Sequence, residues 1–379
     1  MSVEPSRRTG PLGFLLSGQG WPYLLVPAIP LAVLLELVGA GAAAIFFVSA
    51  AGVIPTAALM GRATEELAER AGPGIGGLLN VTFGNAPELI IALFALDAGL
   101  QEVVKASLIG SMLGNILLVL GAAMFVGGLG RDRQFFNRTA ASAQSSMLLL
   151  ATVALVMPAI FELVNGGGLP SPNDEIVNYG SKVEALSLGV AIVLILTYVA
   201  GLIFSLKTHR DLFNPEAGEE DHPLGEPWSV RKAVGALAIA GVGVGIMSEI
   251  LVGSVSEAAS SIGLSEFFIG AIVIAIVGNA AEHWVAVLVA AKDKMDLAVN
   301  IAIGSSAQIA LFAAPVVVMA SFFIGPGPMA LVFNGFEMGA LFLAVLIALN
   351  VTNEGESTWF EGVQLLACYL VLAITFFFA

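Results

Sequence analysis

Two glutamates stand where glutamates are costly. Glu88 lies within Gly-Asn-Ala-Pro-Glu (84–88) and Glu282 within Gly-Asn-Ala-Ala-Glu-His (278–283), each in the middle of a long apolar run. A carboxylate near the centre of a bilayer is expensive unless it is paired, solvated or protonated, so such residues mark ion and proton pathways. Asn85 and Glu88 are three residues apart, as are Asn279 and Glu282, and on a helix each amide shares a face with its carboxylate. Ser111 and Ser305 add hydroxyl oxygens, and Asn115 and Gln308 add amide oxygens. Pro87 has no N–H, so the carbonyl of Phe83 is expected to lose its helical partner and to face the same space. Ala281 replaces that proline in the second motif, where any opening of the backbone rests on Gly278. All of these donors are hard oxygens, the set that suits Ca²⁺ or a related cation. Soft ligands are missing: there is one cysteine, Cys368, and His209, His222 and His283 are too scattered for a zinc site.

Two carboxylates balance one divalent cation. Without the cation, two like charges in low dielectric repel, and desolvation disfavours both, so protons are expected to take its place. That exchange of occupants is a physical basis for coupling cation movement to proton movement. An interhelical hydrogen bond from a protonated glutamate is the plainer reading, and the recurrence of the polar neighbours argues against it. His283 either joins the proton pathway or simply packs. Glu249 and Glu257, Glu66 with its neighbour Glu65, and Glu337 are secondary candidates for lining vestibules. Glu36, Glu162, Glu184 and Glu361 lie near the ends of apolar runs and read as interfacial.

The elements that must position these groups are membrane spans. The chain has 379 residues, 58% of them hydrophobic and only 12% charged, with a mean hydropathy of +0.93. Soluble domains carry about 25% charged residues. The net charge of −14 excludes a nucleic-acid binder, which needs a basic face. Apolar runs fall at 21–38, 40–60, 72–97, 103–127, 137–163, 181–206, 232–262, 265–291, 297–323, 329–350 and 358–378. The expected fold is therefore an all-α polytopic membrane protein of eleven spans. No cleavage site follows Arg7 and Arg8, so the first span is expected to be retained. With the N-terminus cytoplasmic, 13 of the 15 basic residues fall inside and only Lys105 and Lys182 outside, as the positive-inside rule requires. The C-terminus is then extracytoplasmic, and a prokaryotic cell membrane is the expected location. The sequence is silent on oligomeric state.

The chain also repeats itself. Residues 75–115 align without gaps onto 269–309, offset by 194, with ten identities that include Gly84/Gly278, Asn85/Asn279, Glu88/Glu282, Gly110/Gly304 and Ser111/Ser305. After an N-terminal segment and first span (1–38), each half (39–206 and 231–379) holds five spans. Five is odd, so the second half enters from the opposite face, an inverted repeat of the kind found in secondary transporters. An acidic cytoplasmic linker, 207–230, joins the halves.

The segments GGLLNVTFGNAPELIIALFAL…VVKASLIGSMLGNILLVLG and FFIGAIVIAIVGNAAEHWVAVLVAAKDKMDLAVNIAIGSSAQIALF resemble the two signature repeats of the Ca²⁺/H⁺ exchanger (CAX) family, part of the Ca²⁺/cation antiporter superfamily. The resemblance implies eleven helices and a central site between spans 3 and 8. It makes Glu88 and Glu282 the shared Ca²⁺ and proton ligands, with Asn85, Asn279, Ser111, Ser305 and Gln308 beside them. It makes spans 2 and 7 the moving helices, with no cofactor beyond the transported ions. Sodium-coupled exchange on the same scaffold is the rival, although Gly278–His283 lacks the Thr-Ser and Pro-acid form of sodium-coupled relatives. An intramembrane hydrolase would need a nucleophile and base, or an H-E-x-x-H helix, that the sequence lacks. A passive channel would more naturally use a ring of like groups from several subunits.

Overall fold

A computed structural model describes residues 20–175, 178–208 and 228–379, with the backbone alone at 72–75, 77–78 and 81. The acidic stretch 211–226 lies outside the described residues. A 3₁₀ turn, Trp21–Leu25, leads into α1 (Ala28–Leu37). Then come α2 (Ala42–Gly84), α3 (Ala86–Asp97), α4 (Gln101–Gly128), α5 (Arg138–Val164) and α6 (Ser181–Thr208). The second half holds α7 (Val230–Gly253), α8 (Val255–Ile262), α9 (Glu266–Ala291), α10 (Met295–Ala320), α11 (Gly335–Thr352) and α12 (Trp359–Phe378). Among the described residues, nine helical stretches are long and apolar enough to cross a membrane.

The departures from the expected spans have local causes. The first run, 21–38, carries Pro22, Pro27 and Pro30, and its regular helix is short; Gly39, at φ +66°, ends it. The second and third runs are not parted by a loop, since the backbone stays helical from Ala42 to Gly84. A Cβ on Gly76 would nevertheless run into the carbonyl of Ala68. Eight residues of straight helix span ~12 Å, so the chain doubles back between those two residues. The seventh run, 232–262, breaks at Ser254 into α7 and α8. The tenth, 329–350, starts late. Met329–Phe333 is buried but not helical, and α11 begins only at the capping box that Asn334 and Glu337 form.

The two central helices have wide turns. α4 carries a π-helical stretch at Gly114–Val119 and α10 one at Ile309–Ala313, nearly 194 residues apart. Both helices are mostly buried, and α4 lies against α9 at very close range. A side chain on Gly110 would strike the backbone of Ala271, and one on Gly270 would come within 3.0 Å of the Val103 carbonyl. Small residues at such a crossing let two backbones meet.

The connecting segments sort to two ends. At one, Gln101 Nε2 donates to the Gly327 carbonyl (2.7 Å), Glu102 N–H donates to Glu175 (3.2 Å) and Asn173 Nδ2 donates to the carbonyl of Ala379 (3.3 Å). At the other, Arg133 pairs with Glu356 (2.6 Å) and Arg131 with Asp293 (3.4 Å). There the short strands β1 (Gln134–Phe135) and β2 (Glu356–Ser357) pair antiparallel and tie the halves together. Lys105, which the sequence places in an outer connection, is instead 1% exposed. Its ammonium donates to Glu102 Oε1 (2.5 Å) and to the Val332 carbonyl (2.8 Å).

The α4–α9 crossing makes a prediction about stability. Gly110→Val is expected to cost about 1–3 kcal/mol, as overpacking does, and to lower the thermal midpoint of the detergent-solubilised protein. Gly235→Ala, where nothing lies within 4 Å of the added carbon, is expected to leave the midpoint level or slightly raised.

Candidate cation site

The break between α2 and α3 falls at Asn85, two residues before Pro87, whose ring and missing N–H forbid a regular turn there. Glu88 thereby sits in the first turn of α3, at the helix end whose N–H groups favour a carboxylate. The corresponding stretch of α9 is unbroken through Gly278 and Ala281, so Glu282 projects from the middle of a continuous helix. The carbonyl of Phe83, expected to lack a partner, accepts the Asn85 N–H, because the chain turns off the helix axis at that residue.

Four helices bring the polar groups together. Ser305 Oγ of α10 lies 3.0 Å from Asn85 Oδ1 and 3.4 Å from Glu282 Oε2. One hydroxyl has one proton, so the nearer amide oxygen takes it and the longer contact is the weaker. Asn85 Nδ2 donates to Gln308 Oε1 at 2.7 Å. On the other side, Asn279 Nδ2 donates to Ser111 Oγ of α4 at 3.0 Å and to the Ala275 carbonyl at 2.9 Å. The pairs Asn85–Ser305 and Asn279–Ser111 exchange under the offset of 194, so each half lends its serine to the other half's asparagine. Asn85, Asn279, Ser111 and Ser305 are all buried.

Glu88 and Glu282 are half-buried, and Glu282 meets, through Ser305 Oγ, the asparagine three residues before Glu88. Glu88 Oε2 and Asn279 Oδ1 are buried oxygens with no hydrogen-bond donor. Gln101 Oε1 and Glu337 Oε1 share that condition elsewhere, but here two such oxygens, one from each half, stand in one cluster of hard donors, an arrangement that suits a cation. Glu88 also borders a small cavity of about 10 Å³ with Ile91, Ser107, Leu108, Ser111, Ile274 and Ile309. Gly278 makes room for Glu88: a Cβ there would sit 3.3 Å from Glu88 Cγ, whereas one on Gly84 would meet nothing within 4 Å.

Asn115 and His283 form a neighbouring pair, with Nε2 of the ring 3.0 Å from Asn115 Oδ1. Among the described residues, no hydrogen bond links this pair to Glu282. The remaining secondary candidates lie elsewhere. Glu337 is in the capping box of α11, where its Oε2 accepts the Asn334 N–H (2.8 Å). Glu66 accepts the N–H of Trp228 (2.7 Å). Glu249 and Glu257 are exposed on α7 and α8. Ser107 borders the cavity and is not singled out by the sequence. It lies one turn before Ser111 on the same face of α4, but its partner in the repeat is Ile301, so the duplication does not flag it.

Comparison with known proteins follows the same two halves. The sequence profile of the family described as sodium/calcium exchanger protein matches residues 41–207 and again 232–378. The chain belongs to the sodium/calcium exchanger protein family. Among this family's relatives, the chain is 47% identical over 358 residues to the Ca(2+)/H(+) antiporter ChaA of Bacillus subtilis (strain 168), covering 94% of this chain and 98% of that protein. It is 43% identical over 369 residues to a Ca(2+)/H(+) antiporter of Synechocystis sp. (strain ATCC 27184 / PCC 6803 / Kazusa), covering 94% and 96%. The solved structure of native YfkE superposes with a TM-score of 0.79 at 43% identity, covering 94% of this chain and all of that one. The chain is thus a membrane transporter of this family and not an enzyme.

The unequal glycines give a controlled test. Gly278→Ala is expected to displace Glu88 and weaken Ca²⁺ binding roughly five- to tenfold, the loss of about one good polar contact. Gly84→Ala is expected to bind like the wild type, both measured by calorimetry on purified protein.

Proposed function

We propose that this chain exchanges Ca²⁺, or a similar divalent cation, for protons by alternating access, with Glu88 and Glu282 holding the two kinds of ion in turn. The observation that carries this reading is the joining of two repeat-equivalent carboxylates, one from each half, in one cluster of amide and hydroxyl oxygens. Within it, Glu88 Oε2 and Asn279 Oδ1 are buried acceptors without donors. Hard oxygen donors of this kind are what a calcium ion takes. Relatives at 47% and 43% identity named as Ca(2+)/H(+) antiporters support both the cation and the coupling.

The cycle follows from charge. A divalent cation between two carboxylates leaves the site nearly neutral, and so do protons on both. The empty double anion, held away from water, is the costly state. Passage between the two sides is then favoured only when one kind of ion or the other is bound, and that is obligatory exchange. Asn85, Asn279, Ser111 and Ser305 hold the carboxylates' surroundings in place, and Gln308 fixes the orientation of the Asn85 amide. His283, with Asn115, stands beside the site as a candidate for the proton path.

We further infer eleven spans: a solitary first helix, then two five-span halves of opposite orientation, 39–206 and 231–379, with the linker 207–230 between. The family's double match to 41–207 and 232–378 supports that division. The sorting of connecting segments to two ends supports the threading. The end with Arg131, Arg133, Arg138, Lys292 and Lys294 reads as cytoplasmic, which leaves the C-terminus outside the cell membrane.

Two measurements test the proposal in reconstituted vesicles. An imposed pH gradient is expected to drive Ca²⁺ uptake and a Na⁺ gradient is not; the reverse result would establish sodium coupling. Glu88→Gln and Glu282→Gln are each expected to abolish exchange while the protein still folds and inserts. Exchange at the wild-type rate in either variant would remove that carboxylate from the site.

A further inference from the structure

The small cavity beside Glu88 lies to one side of the cation cluster. Four helices border it, each with a residue about one turn away from its own site residue. These are Ile91 after Glu88 on α3, Ser107 before Ser111 on α4, Ile274 before Gly278 on α9 and Ile309 after Ser305 on α10. All four steps point to the same end. α3 and α10 run toward it, since a Cβ on Gly325, just past α10, would strike the carbonyl of Leu96 near the end of α3. α4 and α9 start from it, where Gly270 meets Val103. That end carries the Gln101–Gly327 and Glu102–Glu175 bonds and is opposite to Arg131 and Arg133. The cavity is thus on the outer side of Glu88.

Its walls are largely apolar and buried: Ile91, Leu108, Ile274 and Ile309. Three polar residues remain. Glu88 Oε2 has no donor. Ser111 Oγ accepts from Asn279 at 3.0 Å, and among the described residues its own hydrogen goes to no acceptor. Ser107 Oγ gives its hydrogen to the Val104 carbonyl at 2.9 Å, which leaves its lone pairs for another donor. The volume of about 10 Å³ is that of a single water. Glu282 has no matching hydroxyl, because the repeat partner of Ser107 is Ile301.

We propose that this cavity binds one water and that Ser107 holds it there as the outer-side proton carrier for Glu88. The water donates to Glu88 Oε2 and Ser107 Oγ and accepts from Ser111 Oγ, the three bonds usual for a buried water. A proton arriving from the outer side makes the water H₃O⁺. One O–H bond then breaks, the proton bonds to Glu88 Oε2, and neutral water and a neutral carboxyl remain. Ser107 acts on Glu88 only through the water, so it is a positioning residue. The inference rests on the exchanger reading, with Glu88 as a proton-bearing group.

The test varies the pH on each face separately in right-side-out membrane vesicles while Ca²⁺/H⁺ exchange is followed. Ser107→Ala removes the hydroxyl without filling the space. It is expected to slow exchange about fivefold, the worth of one hydrogen bond, and to regain that rate when the outer proton concentration is raised about fivefold. Its dependence on inner pH, and its Ca²⁺ affinity by calorimetry, should match the wild type. Ser107→Thr and Ser107→Val share a shape and differ in the hydroxyl. The threonine variant should run near the wild-type rate and the valine variant at least as slowly as Ser107→Ala. Equal rates for these two variants would assign Ser107 to packing alone and overturn the proposal. A Ser107→Ala profile that shifts equally with inner pH, or that does not shift at all, would overturn it too. Glu88→Gln in the same vesicles keeps the two readings apart. Activity there removes Glu88 from the site, whereas an inactive Glu88→Gln beside equal threonine and valine rates removes only the water.

Discussion

A charged oxygen kept away from bulk water must be satisfied by something else, and most of this protein is arranged around that requirement. Removing two carboxylates from solvent costs more than any single contact in the site returns. The structure responds by surrounding them with neutral dipoles whose own needs are met crosswise. Asn85 is answered by Ser305 and Gln308, and Asn279 by Ser111 and the Ala275 carbonyl. These bonds use both hydrogens of the Asn279 amide and that of the Ser305 hydroxyl, and they leave Glu88 Oε2 and Asn279 Oδ1 without a donor.

The crosswise pattern also accounts for the deep burial of α4 and α10. Each supplies its serine to a helix of the opposite half, so neither can lie at the lipid surface. Close approach at Gly110 and Gly270 brings α4 and α9 within backbone contact, which lets a side chain as short as serine bridge the two helices. The N-terminal end of α4 is held independently by Lys105, Glu102 and the Val332 carbonyl. The scaffold is fixed at both the centre and the rim.

Much of the site is legible in the sequence. Glu88, Glu282, Asn85, Asn279, Ser111 and Ser305 stand out by polarity inside apolar runs and by the offset of 194. A polar residue is costly in a lipid-like context, and one that recurs in both halves is kept for a shared task. Gln308 and Asn115 are legible as oxygen donors, although not as to which neighbour each would meet. Helix ends are less legible. Hydropathy does not distinguish a buried irregular segment such as Met329–Phe333 from a helix, since both are apolar; only the Asn334–Glu337 capping box marks the boundary. Nor does it register the fold-back between Ala68 and Gly76, where two helical stretches meet with no loop between them. Glu337 and Glu66 look identical to site acids in the sequence. Their roles as cap and tether depend on a local turn in one case and on a partner far along the chain in the other, and composition encodes neither. Ser107 escaped because its counterpart, Ile301, is apolar.

The wide turns at Gly114–Val119 and Ile309–Ala313 have a bearing on how such a molecule can move at all. A π-helical turn holds a surplus residue in its winding, and such turns recur at functional sites. One residue of ordinary helix corresponds to about 100° of rotation. Tightening either turn to the regular pitch would therefore swivel the remainder of its helix by roughly that angle while Ser111 or Ser305, on the near side, stayed where it was. The two most deeply buried long helices each contain a swivel just past their serine, so their far ends can turn without carrying Ser111 or Ser305 along.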